Sequence, residues 1–112
     1  YRSRFDILKR LEATYGIYRR FQYSGVPAPT DTDWHWWGKL DPRGCGAVVV
    51  LRGSGGKDRQ AVNVPWVDRA RTYRVTALFQ AKDLGTFAGA RLQDGDLLLD
   101  LPPLGQEVLE LE

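Results

Sequence analysis

The acidic residues include two close pairs, Asp31/Asp33 and Asp94/Asp96, and paired carboxylates are what acid–base hydrolysis or cation binding needs. A glycosidase sets its two carboxyls about 5 to 10 Å apart across the bond it cleaves. Both pairs here lie in turn-rich stretches, where aspartate is favoured for its local backbone hydrogen bonds. A calcium site would need about six or more oxygens, and the EF-hand spacing is missing. Turn residues are the simpler reading.

His35 and Cys45 are the only histidine and the only cysteine. A Cys–His pair could assemble in space, but no third orienting group or oxyanion donor is indicated. One histidine and one cysteine cannot complete a zinc site, so neither metal nor cofactor is expected. A lone cysteine also rules out a disulfide framework and leans the compartment towards the cytoplasm. The stretch Gly53-Ser54-Gly55-Gly56-Lys57 is glycine-rich but lacks Walker spacing. It leads into a strand rather than a helix N-terminus, so it reads as a flexible hairpin loop.

The tryptophans carry more weight. Trp34, Trp36, Trp37 and Trp66 are four in a small domain. Exposed indole faces provide platforms for sugar rings. Buried ones fill a core or seal an interface, where tryptophan is also enriched. Both readings stay open at this point, with the four rings as candidate carbohydrate-binding residues.

These residues must be held by something, and the plainest element is Ala47-Val48-Val49-Val50-Leu51-Arg52. A short, β-branched apolar run fenced by glycines (Gly44, Gly46, Gly53) predicts a strand buried on both faces. Upstream, Phe5, Leu8, Leu11, Tyr15 and Tyr18 recur at three- and four-residue steps. That spacing predicts a helix from Ser3 to Arg20, weakened at Gly16, with these five residues as a candidate interface. Gly25-Val26-Pro27-Ala28-Pro29-Thr30 breaks any helix and reads as a linker. Beyond it an edge strand is expected from Trp34 to Leu40, then strands over Gln60–Val64, Thr72–Phe79, Leu84–Phe87, Leu97–Leu99 and Glu107–Glu112. Asp94-Gly95 reads as a hairpin turn, Leu97–Leu99 as doubly buried, and no helical period follows residue 25. The fold class is therefore mainly β: a small antiparallel β-sandwich preceded by one N-terminal α-helix.

Bulk composition narrows the function classes. A hydrophobic fraction of 43% and a charged fraction of 27% are ordinary for a soluble globular domain. No apolar run approaches the length of a membrane span. The absence of methionine, even at position 1, suggests a piece of a longer protein. Residues 1–20 carry a net charge of +4 and residues 92–112 one of −6. Complementary surfaces or solvated faces explain this more simply than a nucleic-acid contact, which needs a basic stripe with groove-reading or stacking geometry.

In sequence order, Tyr18-Arg19 near a helix end, a proline-bearing connection, a tryptophan-rich stretch and Ala47–Arg52 resemble the C-terminal portion of α-galactosidase-type (melibiase-like) glycoside hydrolases. The closing half is similar too: Tyr73–Phe79, Leu84-Gly85, Gly89, Arg91-Leu92, Gly95, Leu97–Leu101 and Val108–Leu111. The resemblance implies that the last helix of a (β/α)8 barrel runs through a linker into an antiparallel sandwich. It divides the chain into 1–24, the end of or dock for a catalytic barrel, a linker at 25–33, and a sandwich at 34–112. It implies a non-catalytic accessory role with the catalytic carboxylates in the barrel, so no catalytic residue is assigned here. The expected partners are a catalytic domain of the same polypeptide and an oligosaccharide, with neither nucleic acid nor membrane. The cluster Trp34-His35-Trp36-Trp37 departs from the pattern and leaves an independent carbohydrate-binding module as the alternative.

Overall fold

In the computed structural model, which describes residues 4–20, 22–23 and 33–112, helix α1 spans Arg4–Tyr15. It buries Ile7, Leu11 and Tyr15, which lie four apart and so share one face. The stripe is rotated from the expected one. Leu11 and Tyr15 belong to it and Leu8 packs at its margin, whereas Phe5 and Tyr18 are 66% and 64% exposed. The helix stops short of Arg20 because Gly16 takes the left-handed conformation (φ 66°, ψ 42°). Glycine adopts that region without a Cβ clash. A single 3-10 turn, Ile17–Arg19, follows with Ile17 buried, and this change of direction throws Tyr18 off the stripe. Ser3, and positions 25–32 of the expected linker, lie outside the described residues.

Strand β1 (Gln22–Tyr23) pairs outside β2 (Trp34–Leu40), so β2 is flanked on both sides by strands. Next come β3 (Gly46–Arg52), β4 (Arg59–Val62), β5 (Thr72–Ala77) and β6 (Lys82–Ala88). A short helix α2 (Gly89–Asp94) precedes β7 (Leu97–Asp100) and β8 (Gln106–Leu111). Among the described residues the main sheet runs β1-β2-β3-β8-β5-β6, and β4 and β7 form a separate two-stranded ribbon. The pairings are antiparallel throughout. The protein is mainly β, with one main helix near its N-terminus.

Three layers result. The ribbon and α2 cover one face of the main sheet, where Val48, Val50, Val75 and Leu109 meet Val62, Leu92, Leu97 and Leu99. Helix α1 covers the other, where Ile7, Leu11 and Tyr15 meet Ala47 and Val108, with Val49 half-buried beside them. β3 is therefore covered on both faces, as its composition predicts. A fully buried side chain such as Leu11 contributes roughly 1.5–3 kcal/mol.

Some elements differ from expectation for local reasons. Residues 89–94 form a helical turn and a half, and Asp94-Gly95 is not a hairpin turn. Gly95 (φ 83°, ψ 29°) caps α2, its N–H directed back to Arg91 and Leu92 carbonyls. The leucine strand β7 alternates, with Leu97 and Leu99 buried and Leu98 55% exposed, because a two-stranded ribbon has only one covered face. Tyr73, Val75 and Ala77 face the inner core, but Phe79 joins the α1 side. The strand ends at Ala77, and the turn after it redirects the ring.

Candidate functional site

The buried polar groups join elements to one another. Glu110 on β8 is 5% exposed and lies under α1. Arg10 grips both its oxygens, Nη1 to Oε2 at 3.0 Å and Nη2 to Oε1 at 2.8 Å. The Tyr15 hydroxyl donates to Oε2 at 2.6 Å. Burial alone would push the Glu110 carboxyl up, but the Arg10 and Tyr15 hydrogen bonds together outweigh it and hold the carboxyl below its ordinary range. Burial, reinforced by Glu110, pushes the Tyr15 phenol well above the usual tyrosine range. Both groups thus stay in the forms that keep the helix docked.

Arg52, at the end of β3, is a second clamp. Its buried guanidinium donates to the Gly55 carbonyl at 3.0 Å, the Gly56 carbonyl at 3.1 Å, the Leu101 carbonyl at 2.6 Å and Asp58 Oδ1 at 2.8 Å. The glycine loop thus turns carbonyls inward onto a cation. A phosphate loop would converge N–H groups on an anion instead. Glu107 is fully buried and accepts the Phe79 and Gln80 N–H groups at 2.7 and 3.3 Å and its neighbour Val108's at 2.9 Å. It fixes the turn between β5 and β6. Tyr73, also buried, donates to the Arg43 carbonyl at 2.6 Å and accepts from the Asp68 N–H at 3.0 Å, tying two loops together. A Cβ at Gly44 (φ 81°) would collide with that hydroxyl, so this close approach requires glycine.

The tryptophans do not assemble into one exposed surface. Trp34 is buried, and its indole N–H donates to the Lys57 carbonyl at 2.7 Å. Trp36 packs against the inner core and donates to the Asn63 carbonyl at 2.7 Å. Trp66 lies against the β2 backbone at Gly38, where a Cβ would come within 2.8 Å of its ring. Trp37 is half-buried and, by strand alternation, on the opposite face from Trp34 and Trp36. Trp36, Trp37 and Trp66 are half-buried. Of the candidate interface residues, Leu11 and Tyr15 lie against the protein's own sheet, Leu8 beside them, and Phe5 and Tyr18 face outward.

The described carboxylates of the two pairs make local contacts. Asp31 lies outside the described residues, and Asp33 accepts the Trp34 N–H at 2.8 Å. Asp96 pairs with Arg91 at 3.1 Å, and Asp94 approaches Arg69 at 3.9 Å. His35 sits opposite Leu51 at one end of β2, while Cys45 adjoins the other end through its carbonyl's bond to the Asp41 N–H. Six strand steps, about 20 Å, separate them, so the pair does not meet. Burial first, then the Asp41 charge, pushes the Cys45 thiol up, away from a reactive thiolate. Among the described residues no group of three or more His, Cys, Asp or Glu side chains could hold a metal ion. Nor, among them, is any helix long and apolar enough to cross a membrane.

Nothing in the residue types or spacing marks Arg10, Glu107, Glu110 or Arg52 as partners, and the signal for them is indirect. An amphipathic helix needs a surface to lie on, and the β8 positions alternating with Leu109 and Leu111 supply it.

Two clefts border the connection between β7 and β8. One, of about 390 Å³, is lined by Asp58, Asp100, Leu101, Pro102 and Pro103. The other, of about 340 Å³, lies between Arg4, Phe79, Gln80, Pro102 and Gly105. Asp100 is held below the usual carboxylate range by its bonds to Arg59 at 2.7 and 3.0 Å. No family model, curated protein or solved structure matches this chain.

Proposed function

We propose that this chain is a non-catalytic accessory domain of a glycoside hydrolase, which stabilises a catalytic domain of the same polypeptide and assists its hold on carbohydrate. The observation that carries this reading is the commitment of the buried ionisable groups. Arg52, Glu107 and Glu110 each make several bonds that hold one element of the fold to another. A catalytic carboxylate needs a neighbour and an open space for substrate. These buried groups face backbone amides, an arginine and a tyrosine instead. The sandwich architecture and the ordered resemblance of its strands supply the class of enzyme.

An assisting role in carbohydrate binding would fall to Trp36, Trp37 and Trp66, which are half-buried where Trp34 is buried. Titration with oligosaccharides while following tryptophan emission tests that part. Isolation of the native protein, followed by intact mass and N-terminal sequencing, tests the accessory role. The reading expects a longer polypeptide whose preceding region holds barrel strands ending in aspartates. A native protein that lacks such a region would overturn it.

A further inference from the structure

Among the described residues the apolar interior falls into two clusters that share no residue, one between the main sheet and the ribbon and one under α1. Helix α1 supplies Ile7, Leu11 and Tyr15 to the second cluster and nothing to the first. No backbone hydrogen bond among those residues joins α1 to a strand, and the strand pairings are made without it. Side chains hold the helix instead. Arg10 and Tyr15 bond to Glu110, and the Arg4 guanidinium lies 4.4 Å from the Phe79 ring centre. Lifting α1 breaks these contacts and leaves the ladders and the inner cluster intact. Segments attached by few contacts open locally, at a lower free energy than global unfolding.

The end of α1 is suited to pivoting. Open space surrounds the point where a side chain on Gly16 would stand, so no packing resists rotation there. Hinges are a few element-terminal residues that absorb large changes in φ and ψ. Just past this one, Ile17 is 2% exposed and stays with the sheet. Across it, the Glu12 carboxylate accepts the Tyr18 N–H at 2.7 Å, an exposed bond that water can replace. Beneath the helix lies Cys45, 8% exposed and in the same cluster as Leu11 and Tyr15. Asp41 pins its backbone: the Asp41 N–H donates to the Cys45 carbonyl at 2.7 Å, and Asp41 Oδ1 accepts the Cys45 N–H at 3.1 Å. The thiol therefore keeps its place when the helix lifts, and loses its cover.

We propose that α1 is a hinged cover that opens as one unit about Gly16 while the β core stays folded, and that this opening, restrained by Arg10 and Tyr15 on Glu110, governs access to Cys45. Nothing in it depends on the accessory reading. The closed cover seals Ala47, Val108 and the Cys45 thiol. The open one presents them beside the Glu110 carboxylate, a surface that the closed protein does not have.

Labelling of Cys45 in the purified chain with a pyridyl disulfide, at neutral pH and without denaturant, tests this. The thiolate attacks the reagent's disulfide, a mixed disulfide forms and one thiopyridine leaves, so absorbance follows each exposure. The rate, divided by that of the same thiol in the urea-unfolded chain, gives the open fraction. Glu110→Gln should raise it about thirty-fold, the change expected for losing a hydrogen bond to a charged group. Arg10→Met, which keeps the stem, should raise it in the same direction. Val62→Ala, in the inner cluster on β4, should lower the urea midpoint yet leave the labelling rate unchanged, because opening α1 does not expose that site. Hydrogen exchange should show α1 amides opening with the Cys45 thiol and β3 amides held more strongly. Labelling that rises in Val62→Ala in step with its lost global stability would mean that only global unfolding frees Cys45, which overturns the cover. So would α1 and β3 amides sharing one protection. Labelling as fast as in the unfolded chain would mean that α1 does not seal the thiol, and overturns it too.

Discussion

Glu110 shows how one residue decides whether α1 belongs to this domain. Replacing it with glutamine removes the charge that Arg10 and Tyr15 meet under the helix. Hydrogen bonds to charged groups contribute about 1.5–3 kcal/mol, so Glu110→Gln should lower unfolding stability in urea by about 2 kcal/mol. Tyr15→Phe should cost about 1–2 kcal/mol, and the double variant less than the sum, because both changes remove one shared bond. The pH dependence has a definite sign. Glu110 titrates below its ordinary 4.5 in the folded protein, so its contribution is complete above that pH and is lost as pH falls through the folded value. Tyr15 titrates above its ordinary 10.0, so its contribution is complete below that pH and is lost as pH rises beyond it. Thermal melts across pH should therefore lose stability at both extremes, and Glu110→Gln should flatten the acid limb. A Glu110→Gln acid limb as steep as that of the parent would remove this account of the cluster. Neither Arg10 nor Glu110 announces the other in sequence, since their contact joins positions 100 residues apart.

At the scale of elements, Arg52 joins the end of β3 to the loop before β4 and to the end of β7. Arg52→Met keeps most of the buried stem but leaves the Leu101 carbonyl without this donor. A loss of about 1–3 kcal/mol follows, and protease cleavage should concentrate within residues 53–58. Cleavage spread evenly along the chain would contradict the clamp. Gly46→Ala belongs to the same scale: at φ 143° an added Cβ would run into the Lys39 carbonyl across the β2–β3 pair, so the soluble folded yield should fall sharply. β2, β3 and the alternation of β5 are legible in sequence because turn residues fence apolar runs whose period matches their burial. The end of α1 is less so, as a lone glycine inside an amphipathic pattern can continue a helix or cap it. Helix α2 is hidden because six residues are too few to establish a period, and Asp94-Gly95 carries the same two residue types as a hairpin turn. The exposure of Leu98 depends on the ribbon having only two strands, which is a property of the assembly.

At the scale of the molecule, helix, sheet and ribbon form three layers whose buried charges act as ties between them. Tryptophan placement follows from this build. Trp34 is sealed inside, while Trp36, Trp37 and Trp66 are partly open, so acrylamide quenching should resolve a shielded population and an accessible one. Uniform quenching of the four indoles would contradict it. Which of them the packing shields could not be read from residue type, since an indole serves a core and a sugar platform equally well. Under the proposed accessory role, chemistry on glycosidic bonds would belong to another domain, which this one supports. Incubating the purified chain with a panel of α- and β-linked aryl glycosides tests that role directly. Aryl release no faster than in buffer is expected. Turnover that follows the chain through purification and disappears on replacing a single carboxylate, Asp58→Asn or Asp100→Asn beside the 390 Å³ cleft, would contradict it.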